Sequence, residues 1–120
     1  MTTSDGKWAL TEQVHELLNS ILLQLDFPGS DALRAQVPST IVVGGPITML
    51  ELRVGEATAA SVLTEGPIPM SAVVSDETGS AIGELFVWVG GYISALEFSW
   101  WTDEPPEHLP TSDRVRIARK

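Results

Sequence analysis

The sequence predicts an α+β fold, with an N-terminal helix and a short second helix packed on an antiparallel β-meander of four to five strands. Three observations carry this reading. Leu10, Val14, Leu17, Leu18, Ile21 and Leu25 recur at helical spacing near the N-terminus. From Thr40 onward, short runs rich in β-branched and aromatic residues alternate with Gly and Pro turn signals. The helical signals are segregated from the strand signals, which indicates an α+β fold. The 120 residues suit one domain, residues 1–120, able to bury roughly two-thirds of its unfolded surface.

Each element has a local cause. Met1 to Lys7 is polar and expected to fray. Glu12, Gln13, Glu16 and Asn19 fall between the apolar positions that follow, which gives an amphipathic helix over about Thr11 to Gln24 with Thr11 as its N-cap. Phe27-Pro28-Gly29 breaks it. Ser30 then caps a second helix over about Asp31 to Gln36, with Asp31 at the positive end of the dipole. Val37-Pro38 ends that turn, because the residue before proline is pushed out of the α region.

Thr40 to Val43 is a strand, and Gly44-Gly45-Pro46 turns the chain. Thr48 to Val54 is the next strand, with Leu50, Leu52 and Val54 on one face and Glu51 and Arg53 on the other. Gly55 to Pro69 is the longest irregular stretch. Met70 to Ser75 is a strand, and Asp76 to Gly79 is a turn with Gly79 in the left-handed position. Ala81 to Asp103 holds six of the eight aromatic residues and folds as a hairpin about Gly90-Gly91. A two-residue type I′ turn needs positive φ at both glycines. Thr102 to Pro110 is extended or looped, and residues 114–120 form a basic tail or an edge strand.

The two-residue turn sets an expected pairing of Phe86 with Ala95, Trp88 with Ile93 and Glu84 with Glu97. Leu85, Val87, Val89, Tyr92, Leu96 and Phe98 then share one face, read as core. Phe86, Trp88 and Ile93 share the other with the two glutamates, and that face reads either as a second core layer or as a partner surface. Opposed glutamates repel, and such a pair is also the minimal equipment for general acid and base work. Glu84 and Glu97 are therefore the catalytic candidates, against the commoner reading of structural carboxylates.

Charge and composition exclude other classes. There is no cysteine, so no disulfide, zinc-thiolate site or thiol nucleophile. Neither glycine pair has the lysine of a phosphate loop or the spacing of a dinucleotide fingerprint. His15 lies among polar residues and reads as a solvated side chain. Asp103, Glu104, Glu107 and His108 are dense in oxygen and nitrogen ligands, but Pro105-Pro106 splits them and they read as a solvated loop, with no metal. The net charge is −9, and it is uneven. Residues 1–113 carry sixteen acids and three bases, a net −13, while the last seven residues hold four bases. Such a body repels nucleic acid and anionic membranes and attracts basic surfaces. No apolar run reaches transmembrane length and no signal-peptide layout opens the chain, so the cytoplasm is the expected compartment.

Gly90 to Pro110, GGYISALEFSWWTDEPPEHLP, resembles a segment of small uncharacterised actinobacterial proteins, in which a G-y-L-s-x-L-E-y-x-w strand runs into t-D-E-P-P-x-x-l-P. Leu96-Glu97, Trp100, Asp103-Glu104-Pro105-Pro106 and Leu109-Pro110 fill those positions, with Ile93 where leucine is expected. Leu25 to Pro46 is similar to their N-terminal half. Some of these proteins resemble immunity proteins of bacterial polymorphic toxin systems, where an acidic domain neutralises a toxin, and the resemblance brings no catalytic motif. The expectation is a non-enzymatic, cofactor-free domain that binds a basic protein, immunity-like, through Trp88, Trp100, Trp101, Asp103, Glu104 and Glu107. A small enzyme and a self-associating homodimer meeting at an exposed hairpin edge are the alternatives.

Overall fold

A computed structural model describes residues 4–60 and 65–119. The element order is α1 (Ser4–Leu23), α2 (Ser30–Gln36), β1 (Thr40–Gly44), β2 (Met49–Val54), β3 (Gly66–Pro67), β4 (Met70–Ser75), β5 (Ala81–Val89), β6 (Ile93–Trp100) and β7 (Val115–Arg119). The chain is α+β, with both helices on one face of a seven-stranded antiparallel sheet. The sheet is larger than four to five strands and is not a simple meander. Its order is β1-β2-β6-β5-β4-β7, with β3 pairing β5 beside β4. The β1–β2 hairpin docks on β6, a long-range choice that no local pattern announces. The slab measures 40 × 38 × 20 Å. Its thin axis has room for a sheet and one helical layer, since packed layers lie about 10 Å apart.

The core lies where the leucine stripe meets the sheet. Val14, Leu17, Leu18, Ile21, Leu22 and Leu25 are buried against Leu50, Leu52, Leu85, Val87, Leu96 and Phe98. Helix α1 starts at Ser4, inside the stretch expected to fray, while Met1 to Thr3 lie outside the described residues. Thr11 is thus interior to the helix and not its N-cap. Its buried hydroxyl accepts from the Val42 N–H at 3.4 Å. His15 is not a solvated side chain either: half-buried, its Nε2 donates to the Thr40 carbonyl at 2.6 Å. Both bonds reach outward-facing backbone groups of β1, so α1 covers that edge of the sheet, a common device against edge-to-edge pairing.

Helix α2 begins after Gly29, whose φ is 95°. Ser30 is its first residue, and its Oγ accepts backward from the Phe27 N–H, so it does not cap forward. Arg34 NH1 donates to the Leu22 and Leu25 carbonyls, both at 2.9 Å, and so ties α2 to the C-terminal end of α1 and the turn that follows it. Arg34 also pairs with Asp31. Gln36, with no exposed surface, joins three segments. Its Nε2 donates to the Thr58 and Gly91 carbonyls at 3.0 and 2.9 Å, and its Oε1 accepts from the Ile93 N–H at 2.9 Å.

The hairpin forms as expected, but its turn differs. The connection is the three residues Gly90-Gly91-Tyr92, Val89 pairs with Ile93, and only Gly91 has positive φ, at 81°. A bulge follows between the Trp88 and Val89 pairings, and from there the register is two residues away from the expected one. Phe86 faces Glu97, Trp88 faces Ala95, and Glu84 faces Ser99. A two-residue slip preserves faces because side chains alternate with period two, so the core assignment of Leu85, Val87, Leu96 and Phe98 stands. At the bulge it does not. Ile93 is buried in the core, whereas Tyr92 points out, 42% exposed. The stretch from Gly55 to Pro69 also hides β3, and its residues 61–64 lie outside the described residues. The C-terminal basic segment is an edge strand, paired with β4 from Met70 opposite Arg119 to Val74 opposite Val115.

Candidate interaction surface

Helices and core occupy one face of the sheet. Among the described residues no helix lies over the other, which carries alternate residues of the six long strands. Across its middle run Met49 on β2, Glu97 on β6 and Phe86 on β5, in register, with Ser71 on β4 beyond them. Phe86 and Trp88 are half-buried, and Met49 is exposed. Large apolar groups gathered on an uncovered sheet face are the usual signature of an interface. Phe86 and Trp88 therefore belong to a partly exposed surface and not to a second core layer.

The acids on this face are held by neighbours. Ser71 Oγ donates to Glu84 Oε2 at 2.8 Å, and Trp88 Nε1 donates to Glu97 Oε1 at 2.9 Å. Glu84 and Glu97 are diagonal, not opposed, because Glu84 faces Ser99. The cross-strand repulsion expected from the sequence is thereby relieved, and each carboxylate fixes a neighbouring side chain on an open sheet. Glu51, on β2, is exposed. The exposed Arg53 shares β2 with Glu51, and the exposed Arg116 stands on the edge strand β7, so bases flank the acids without displacing them from this face.

The six residues expected to bind a partner do not form one cluster. Trp100 lies opposite Gly83 on the helix side of the sheet and is 40% exposed at the strand end. The Trp101 N–H donates to the Ile82 carbonyl at 2.8 Å, which extends the pairing one residue past Trp100. Trp101 is 56% exposed, so neither member of the tryptophan pair enters the core. Asp103, Glu104 and Glu107 are exposed on the loop that follows, so Trp101 and the acidic loop are neighbours. Trp88 sits six positions along β5 from the Ile82 row, about 20 Å away. The aromatic groups are thus split: Trp88 lies toward the turn end of the hairpin, with Phe86, Met49 and the glutamates beside it on the open face, and Trp100 and Trp101 lie at the hairpin's other end.

Several features had no sequence signal. Met49 was hidden by its place at a strand start, and the approach of Glu65 and Tyr92 to Trp88 depends on β3 and the bulge. Both line one cleft with Trp88. The acids at the chain's other turns have structural work. Asp76 Oδ1 accepts from the Thr78 hydroxyl, the Thr78 N–H and the Ser80 N–H. Those bonds, the hydroxyl's first, hold its carboxyl below the usual aspartate range. The Thr111 hydroxyl does the same for Asp113. Among the described residues no group of three or more His, Cys, Asp or Glu side chains is placed to hold a metal ion, Asp103, Glu104, Glu107 and His108 included, and no helix is long and apolar enough to cross a membrane. Comparison of the chain with protein-family models, curated proteins and solved structures finds no match.

Proposed function

We propose that this domain acts by binding a basic protein on the open face of its sheet, without chemistry of its own. The observation that carries the reading is that face. It is an uncovered sheet surface where Phe86, Trp88 and Met49 are exposed or half-exposed around Glu51, Glu84 and Glu97, with Trp101 exposed just past the end of β6. Large apolar side chains in a polar surround match the anatomy of protein interfaces, where aromatic anchors supply affinity and surrounding charges set encounter rate and choice of partner. The net charge of −9 makes that partner basic. The resemblance of Gly90 to Pro110 to proteins akin to toxin-immunity proteins favours a toxin as the partner. The acidic loop Asp103, Glu104 and Glu107, beside Trp101, extends the face at one end.

The test is binding to the product of the adjacent reading frame, followed by titration calorimetry. Trp101→Ala and Met49→Ala remove exposed groups and should leave folding intact, yet weaken the complex by about tenfold or more. Affinity should fall with added salt. Leu23→Ala, on the helical layer and 73% exposed, should bind as the parent does. Equal binding by all three variants, or no complex with that product, would sink the proposal.

A further inference from the structure

The hairpin end of the open face contains a cleft of 460 Å³, within the roughly 300–1,000 Å³ of ligand-sized sites. Trp88, Tyr92 and Glu65 line it, and none of the described residues lining it is basic. Trp88 is held in place: its indole N–H is committed to Glu97 Oε1, so the ring is fixed and its edge points at a carboxylate. Donation to an anion enriches the π system and strengthens its pull on a cation. Tyr92 is pushed out to this position by the bulge that takes Ile93 into the core. Glu65 lies against Gly90, its Oε2 3.5 Å from where a Cβ on Gly90 would stand, and its carboxylate has no ion pair among the described residues. Two aromatic rings and an unpaired carboxylate around one cleft are the elements of an organic-cation site.

We propose that this cleft takes one cationic side chain of the partner, an arginine or lysine head, over Trp88 and Tyr92 with Glu65 as counter-ion. The proposal rests on the reading of the open face as a surface for a basic protein, and it names the anchor point. The guanidinium or ammonium stacks on the rings and keeps part of its hydration, while Glu65 supplies the opposite charge. Glu97 acts at one remove, as a positioning residue for the Trp88 ring.

The probe is N-acetylarginine amide, with its uncharged citrulline counterpart as control. The readout is the tryptophan indole N–H signals by NMR, assigned through single Trp→Phe variants. Saturable movement of the Trp88 signal with arginine, and none with citrulline, is expected. Tyr92→Ala and Glu65→Gln, both at exposed positions, should each weaken the response about two- to fivefold. A stationary Trp88 signal overturns the proposal. Movement of the Trp101 signal alone overturns it too, while leaving the wider surface intact. Equal response to citrulline, or to arginine in the Tyr92→Ala protein, overturns it as well. Absence of a complex in the calorimetric assay would sink the wider reading without bearing on the Trp88 signal, so the two failures are distinguishable.

Discussion

Replacing Gln36 by leucine, which keeps the volume and removes the polar atoms, is the sharpest test of how the layers are joined. Three bonds are lost, but their consequences differ. The Gly91 carbonyl keeps the Ala60 N–H at 2.7 Å. The Thr58 carbonyl belongs to an exposed residue and can turn to water. The Ile93 N–H has no such escape: Ile93 is buried, and the bulge takes its amide out of the ladder toward Gln36. A buried donor without a partner costs about 1–3 kcal/mol, and two weakened bonds add about 0.5–1.5 kcal/mol between them. The expected loss is therefore about 3 kcal/mol. With an unfolding entropy of about 2.1 cal/mol/K per residue, that lowers the Tm by roughly 12 °C. Thermal unfolding followed by circular dichroism measures it, and faster hydrogen exchange at the Ile93 amide locates it. Gln36→Glu adds a sign. Burial raises the introduced carboxyl above its unfolded value of about 4.3. Protonated, it accepts from Ile93 and donates to one carbonyl; ionised, it faces two carbonyl oxygens. Its stability is therefore complete below pH about 4.3 and lost as pH rises through the folded value. A Gln36→Leu protein that melts within a degree or two of the parent, or a Gln36→Glu protein with no such pH dependence, would refute the argument.

Other expectations are as specific. Gly91→Val places a β-branched residue at φ 81° and should cost about 2 kcal/mol or more by chemical denaturation, whereas Gly90→Ala should stay within about 0.5 kcal/mol; equal losses would put the left-handed position elsewhere. Gly83→Ala would set a Cβ 2.5 Å from the Ser99 carbonyl and 2.6 Å from Phe98 Cε1, so a loss of about 1–3 kcal/mol is expected, and an unchanged melting curve would contradict the close β5–β6 approach. Asp76 should titrate below the ordinary aspartate range by NMR, and Thr78→Val should move it back up. Its contribution to stability is present above the unfolded aspartate value and lost as pH falls through the lowered folded one.

Much of the fold was legible because it rests on short-range chemistry. The stripe from Val14 to Leu25 stated both the helix and its buried side, and Leu50 and Leu52 stated theirs, because period alone assigns a face. Gly79 took its left-handed position as turn chemistry requires, with φ 89°. What failed depended on partners distant in sequence. Thr11 and His15 looked like a cap and a surface residue because nothing nearby shows the edge of β1 they cover. The glycine pair suggested a two-residue turn, but Ile93 fits the core better than Tyr92, and an amide held by Gln36, 57 residues earlier, fixes the bulge. The site shared this divide. The aromatic and acidic content of Ala81 to Asp103 was visible, but its division between the two ends of the hairpin followed from register.

The two edges of the sheet are unequal, and this limits how copies of the chain can stack. At β1, the Thr40 carbonyl and the Val42 N–H are taken by His15 and Thr11. At the far side β7 pairs only with β4 and, among the described residues, exposes the other row of its backbone groups. The hairpin strands β5 and β6 are interior and have no free edge. Polymerisation through backbone pairing needs a donor edge and an acceptor edge on every subunit, as a chain of hooks needs an eye on each. Here one end is blunt. Strand addition at β7 is therefore self-terminating, with two subunits the largest continuous sheet that edge contacts alone produce, and a fibre would first have to peel α1 from β1.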